Sequence, residues 1–272
     1  MQFRHEARQA LARAKALLAQ GDDQALRYAA LELRLTLEAI AYDRLHDYRR
    51  DVPPSVYETW QPPKVLRLLL EIDPRADTPQ TVKIARNLAP GVDDARAAVF
   101  FEQPIRQATL KDNYGAIGSY LHFPTLKQLN EKGGPDFEKL RRRCEALVEE
   151  LDPVVTPAKT SFIMGTFSHC PCFRCGEDMR KRLPRDEAGQ FPAKCVACGA
   201  DHLVFFEEDG EGKWTTKAFP APCAHENCDG IHRIFPDEIR QGFQWTCDAC
   251  GRDSVFDFAI CPVLPPETSS QC

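Results

Sequence analysis

Of the twelve cysteines in this 272-residue chain, eleven lie beyond residue 160, and eight of those stand in pairs. Cys172-Phe-Arg-Cys175-Gly and Cys195-Val-Ala-Cys198-Gly are separated by 19 intervening residues. Cys223-Ala-His-Glu-Asn-Cys228 and Cys247-Asp-Ala-Cys250-Gly follow, separated by 18. A Cys-x-x-Cys turn aims both sulfurs at one point, and the glycine after it suits the left-handed conformation that closes the turn. Modules this small bury little apolar surface, so something other than a core must hold them. Two knuckles presenting four sulfurs supply the ligands of a closed tetrahedral site. The same layout occurs twice, which coincidence does not explain.

The spacing therefore predicts two tandem zinc ribbons, over 163–219 and 220–264, each binding one structural Zn2+. The ligands are Cys172, Cys175, Cys195 and Cys198 in the first, and Cys223, Cys228, Cys247 and Cys250 in the second. Metal binding supplies much of the folding free energy of such modules, about 10–16 kcal/mol in zinc-finger peptides. Disulfides, a redox dithiol and a rubredoxin-like iron site are the alternatives that the same cysteines leave open. Cys170 competes with Cys172, because CPCFRCG offers either spacing, and His225 competes with Cys223. His169 and His202 read as surface or packing residues, and Cys261 and Cys272 have no evident partner. A hairpin is expected between the knuckles of each unit. Met179–Leu183 and Phe191–Lys194 flank a turn at Arg185–Gly189, and Ile231–Phe235 and Gly242–Thr246 flank one near Pro236–Arg240. Leu203–Phe206 and Val255–Ala259 follow as outgoing strands.

The first half has a different period. Phe3, Ala7, Ala10, Leu11, Ala14, Leu17 and Leu18 fall at helical steps, Gly21 ends that helix, and Asp22 or Asp23 caps the next. Residues 23–50 are apolar on more than one face, as in the central helix of a bundle. Pro62-Pro63 opens a short helix that closes before Pro74. Residues 78–104 read ambiguously, as one short helix and a loop. A helix over Gln107–His122 carries Gly115 and Gly118 at a spacing that permits close packing, and a last one carries Phe137, Leu140, Cys144, Leu147, Val148 and Leu151 on one stripe. The expected fold class is α+β multidomain: an all-α helical bundle over 1–151, a Pro-containing linker at 152–162, the two small β ribbons, and a flexible tail at 265–272.

Two stretches of the helical half, LRYAALELRLTLEAIAYDRL (26–45) and DNYGAIGSYLHFP (112–124), resemble helices of the HEPN superfamily of helical bundles. Many HEPN proteins are metal-independent ribonucleases, and the resemblance would imply an Arg-x4–6-His motif. None of the seven histidines has an arginine at that spacing; before His122 the positions hold Gly115, Ala116 and Ile117. The resemblance thus implies a non-catalytic member, used for dimerisation, sensing or nucleic-acid association, often in defence or toxin systems. His122 reads as a helix-end residue, and Arg34 with Glu38 as a local ion pair or one wall of a polar groove.

Charge divides with the cysteines. Residues 1–160 hold 24 Lys+Arg against 23 Asp+Glu, and residues 161–272 hold 11 against 17. An acidic cysteine-rich half argues against wholesale phosphate binding. One basic cluster interrupts it: Arg174, Arg180, Lys181, Arg182, Arg185 and Lys194 in the first ribbon, with Phe173 and Phe191 available for stacking. Nucleic-acid binding through that face is one expectation. The leading one is a non-enzymatic adaptor that meets a protein partner or another copy of itself, since no nucleophile motif, phosphate-binding glycine loop, open metal triad or small-molecule substrate site is evident. A divergent HEPN ribonuclease is the third. No run approaches the roughly 18 apolar residues of a membrane span, and the charged N-terminus lacks a signal-peptide core, so the expected location is cytoplasmic.

Overall fold

The computed structural model describes residues 3–84, 98–132, 134–156, 163–184, 189–206 and 212–258. Helices α1 (Phe3–Leu18) and α2 (Asp23–Asp47) form an antiparallel pair turned at Gly21, whose φ of +86° is the left-handed conformation a helix-ending glycine supplies. Asp22 is the cap: its carboxylate accepts the Ala25 amide at 2.8 Å. α2 is central, with Leu26, Ala30, Leu33, Leu37, Ala41 and Leu45 all buried. Around it pack α4 (Pro62–Ile72), α5 (Gln107–Gly118) and α7 (Phe137–Val155), with the short α3 (Pro54–Tyr57) and α6 (Leu126–Lys132) between them. α5 ends at Gly118 in a single 3-10 turn, Ser119–Leu121, rather than running to His122. Gly118 is where close approach is required: a Cβ there would lie 2.1 Å from the Arg34 guanidinium. That guanidinium donates to the Tyr114 hydroxyl at 2.8 Å, and the hydroxyl donates to Glu38 at 2.7 Å. The Arg34/Glu38 pair thus binds α2 to α5.

Two further features differ from the sequence expectations for this half. Within residues 78–104, strands β1 (Gln80–Ile84) and β2 (Ala98–Glu102) pair antiparallel, Gln80 opposite Glu102. Arg44, buried on α2, anchors this hairpin by donating to Glu102 at 2.5 Å and to the Ala76 carbonyl at 2.9 Å. The last helix also runs to Val155, into the segment read as linker. Pro153 is tolerated inside it because Leu151, Val154 and Val155 are buried and Arg8 donates to the Val155 carbonyl at 2.6 Å. Residues 157–162 lie outside the described residues.

Beyond residue 163 the structure consists of small antiparallel sheets. β3 (Phe167–Pro171) pairs with β4 (Asp178–Arg182), and β5 (Gly189–Lys194), β6 (Asp201–Phe206) and β7 (Gly212–Thr216) form a three-stranded sheet. β8 (Phe219–Pro222) pairs with β9 (Ile231–Ile234), and β10 (Gln244–Thr246) with β11 (Asp253–Val255). Strands lie at five of the six expected positions, whereas the expected Val255–Ala259 coincides with a strand only at Val255, the last residue of β11, and Ala259 lies outside the described residues. The expected pairings do not form. β4 does not pair with β5, nor β9 with β10. Each cysteine knuckle is itself the turn of a hairpin. The segment taken as the first inter-knuckle turn includes residues 185–188, which lie outside the described residues, as do Cys261, Cys272 and the tail.

Candidate metal centres

The three Cys-x-x-Cys knuckles are closed by the same pair of hydrogen bonds, and the wider fourth by the Cys223 amide donating to the Gly230 carbonyl at 2.8 Å. In the first, the Cys172 amide donates to the Glu177 carbonyl at 2.8 Å and the Gly176 amide to the Cys172 carbonyl at 2.9 Å. Cys195 with Ala200 and Gly199, and Cys247 with Arg252 and Gly251, repeat the pattern at 2.8–2.9 Å. Gly176, Gly199 and Gly251 have φ of +74°, +76° and +68°. The wider Cys223–Cys228 knuckle achieves its turn with Asn227 at φ +62°, the positive-φ non-glycine residue among those described. Its mouth is closed by Gly230, where a Cβ would lie 2.6 Å from the Cys247 sulfur and 3.2 Å from that of Cys228.

The eight sulfurs expected from the spacing gather into two clusters, Cys172/Cys175/Cys195/Cys198 and Cys223/Cys228/Cys247/Cys250, with the ligand atoms of each within 4.8 Å of one another. Sγ–Sγ distances are 3.6 Å for Cys172–Cys198 and 3.7 Å for Cys175–Cys195, Cys223–Cys250 and Cys228–Cys247. A disulfide would bring sulfurs to about 2.0 Å. The edge of a tetrahedron of sulfurs around zinc, with metal–sulfur bonds of roughly 2.3 Å, is about 3.8 Å. The clusters fit a tetrahedral divalent ion and do not fit paired cystines. Cys170 is outside the first cluster, its thiol directed to the Pro171 carbonyl at 3.3 Å. His225 is outside the second, its ring nitrogen on the Asp253 carbonyl at 2.8 Å. The four-sulfur clusters thus contain Cys172 and Cys223 and leave Cys170 and His225 out.

Electrostatics points the same way. Burial pushes the Cys195 thiol up, whereas the amide and guanidinium of Arg252 pull Cys250 down to about 6. Four thiolates this close repel one another, and only a cation at their centre favours the ionised form of all four at once.

The basic cluster of the first ribbon does not form one exposed face. Arg182 is buried, and its guanidinium donates to Asp73 at 2.7 Å. Asp73, fully buried at the end of α4, also accepts the Tyr48 hydroxyl at 2.7 Å and the Arg75 amide at 2.9 Å. Lys181, buried beside it, donates to the Glu71 carbonyl at 2.6 Å, capping the carbonyl end of that helix. Arg180 pairs with Asp51 and lies over the Phe167 ring, 4.1 Å from its centroid. These three consecutive residues of β4 dock the first ribbon onto the helical bundle. Lys194 remains half exposed, 3.6 Å from Asp201 across its own hairpin. Arg185 lies outside the described residues.

Arg174, inside the first knuckle, turns toward the second ribbon. It pairs with Asp237 and, at 3.2 Å, with Glu238, and sits over the Phe235 ring at 4.1 Å. Arg233 of the second ribbon answers it, 5.1 Å from the Phe173 ring of the first. Phe173 is stacked on buried His202 with centroids 5.5 Å apart, and its amide donates to His202 Nε2 at 3.2 Å. Asp51, Asp73, Phe235, Asp237 and Glu238 hold the ribbons in place, yet none carries a local signal, since Asp73 and Arg182 are 109 residues apart. Comparison of the chain with protein-family models, with curated proteins and with solved structures finds no match in any of the three.

Proposed function

We propose that the chain is a zinc-binding adaptor: a helical bundle that meets a protein partner or a second copy of itself, carrying two ribbons whose metals hold structure. The observation that carries this reading is the closure of eight sulfurs into two four-sulfur clusters, with no other side chain in either set among the described residues. Zinc with four cysteine ligands has no position left for water or substrate, so its contribution is to fix the ribbon surface. Zinc is favoured over iron because it binds such sites without redox chemistry, and nothing near the clusters calls for electron transfer.

A partner surface is supported by the bundle. Tyr28, Leu31 and Leu35, at helical spacing along α2, are 53%, 41% and 41% exposed, and nearby in sequence to one another Phe123 and Leu126 are 94% and 80% exposed. Apolar side chains gathered on a face commonly mark an interaction site. Nucleic-acid binding through the first ribbon is the weaker reading, because Arg174, Arg180 and Arg182 already face carboxylates within the chain. The reading takes nothing from the HEPN resemblance or the defence setting it would imply.

Elemental analysis of freshly purified protein should give two zinc per chain, and light scattering or co-purification should show an assembly that the paired substitution Leu31→Glu, Leu35→Glu disrupts without loss of metal. A strict monomer without partners would reject the adaptor reading. Fewer than two bound metals would reject the metal reading.

A further inference from the structure

A cavity of about 440 Å³ lies where the first ribbon meets the helical bundle. Pro74 and Arg75 line it from the end of α4, Lys181 and Arg182 from β4, and Phe191 and Pro192 from β5. Its size falls in the range of small-molecule sites, which favour such domain junctions. Its chemistry is uneven. Pro74, Pro184, Pro192 and the Phe191 ring give flat apolar walls, while Arg75, Lys181 and Arg182 bring three cations to the same space.

Among the described residues, the carboxylate hydrogen bonded to one of these cations is that of Asp73. Asp73 is already shared by the Arg182 guanidinium, the Tyr48 hydroxyl and the Arg75 amide. Glu71 offers Lys181 its backbone carbonyl, and its carboxylate acts on that ammonium only through space. Lys181, 7% exposed, therefore has a neutral acceptor for one of its three N–H donors and no carboxylate hydrogen bonded to it among the described residues. Burial lowers the affinity of its nitrogen for a proton, and an anion arriving in the cavity would restore it. Arg75 is exposed at the rim, with its guanidinium free of any role in the Asp73 network.

We infer that this junction cavity binds a small organic acid, a carboxylate or phosphate carried on a flat ring, with the acid between Lys181 and Arg75 and the ring against Phe191 and the prolines. The ion pair of Arg182 with Asp73 ties the β4 wall to the end of α4. The acid group is the shared chemistry, and the choice between carboxylate and phosphate follows from the probes.

The test is isothermal titration of the full-length protein with phenyl phosphate, benzoate and inorganic phosphate. Saturable binding of phenyl phosphate or benzoate is expected, with inorganic phosphate weaker. Arg75→Glu, at an exposed position outside the docking contacts, should weaken both ring acids by about tenfold or more, as expected for loss of a charge-assisted hydrogen bond. Phe191→Ala should weaken the ring acids and leave inorganic phosphate unchanged. Lys181→Met should abolish binding; because that residue also caps α4, its thermal melt is recorded beside that of Arg75→Glu, which carries the decision. Absence of saturable binding by either ring acid at millimolar concentration would overturn the inference. So would binding indifferent to Arg75→Glu, or inorganic phosphate binding as tightly as phenyl phosphate.

Discussion

Asp73 joins three parts of the chain through one buried carboxylate. A fully buried carboxylate is costly unless its partners are complete, and here Arg182, Tyr48 and the Arg75 amide complete it. Burial, reinforced by the adjacent Asp73 charge, drives the Tyr48 hydroxyl well above its ordinary range, so it stays a donor. Asp73→Ala leaves a buried guanidinium and a buried phenol unpaired, and the expected loss is about 3–5 kcal/mol in denaturant unfolding. A change within about half a kcal/mol would mean that the guanidinium finds water instead. His202 makes a second prediction. Its Nε2 accepts the Phe173 amide while Nδ1–H faces the Ala200 carbonyl at 3.0 Å, so the ring is neutral, and burial holds its pKa below 6.5. As pH falls below 6.5 the unfolded chain takes up a proton that the folded chain refuses, so this contribution to stability is present above 6.5 and lost below it. His202→Gln should flatten the fall in stability between pH 6.5 and 5.5 relative to the parent protein. Protonation of the cysteine ligands affects both proteins alike, so equal slopes would show that His202 does not titrate as stated.

At the scale of the element, the knuckle-tipped hairpin is the repeating unit, and its glycines separate two kinds of demand. Gly176, Gly199 and Gly251 are required for their positive φ, whereas Gly230 is required for space beside the Cys247 and Cys228 sulfurs. Gly230→Ala should therefore displace two ligands of the second cluster and reduce bound metal from two equivalents to one, leaving the first cluster loaded. Retention of both metals would show that the β8–β9 hairpin shifts to accept the methyl. Strand β4 is the element that connects the parts. Its alternating side chains place Met179 and Lys181 on one side and Arg180 and Arg182 on the other, and three of these four engage Asp51, the end of α4 or Asp73.

Over the whole molecule, the helical bundle has a large apolar core, while the first ribbon has a small one built around Cys172, Cys195 and Val204, and the ribbons contact each other and the bundle. Arg174 over Phe235 and Arg233 over Phe173 fasten ribbon to ribbon, and Trp214 fastens β7 to β3 by donating to Ser168 at 2.8 Å. Removing metal with a chelator should abolish the ribbon structure and retain most of the helical circular-dichroism signal. It should also lower the melting temperature of the helical transition, because Asp73 and Tyr48 lose the cover of Arg182. An unchanged helical melt after chelation would show that the bundle does not depend on the docked ribbon.

The sequence by itself determined the two four-cysteine clusters, the helical first half and the β-rich second half, because each rests on local spacing: the knuckles on two or four intervening residues, the helices on their apolar period. Strand pairing, the β1–β2 hairpin, the exclusion of Cys170 and His225, and the role of the basic cluster were decided only in three dimensions. Six cations in one short stretch suggest a surface for phosphate when their counter-charges are unknown. Asp51 and Asp73 lie more than a hundred residues earlier, Asp237 and Glu238 more than fifty later, and only the folded chain brings these charges together.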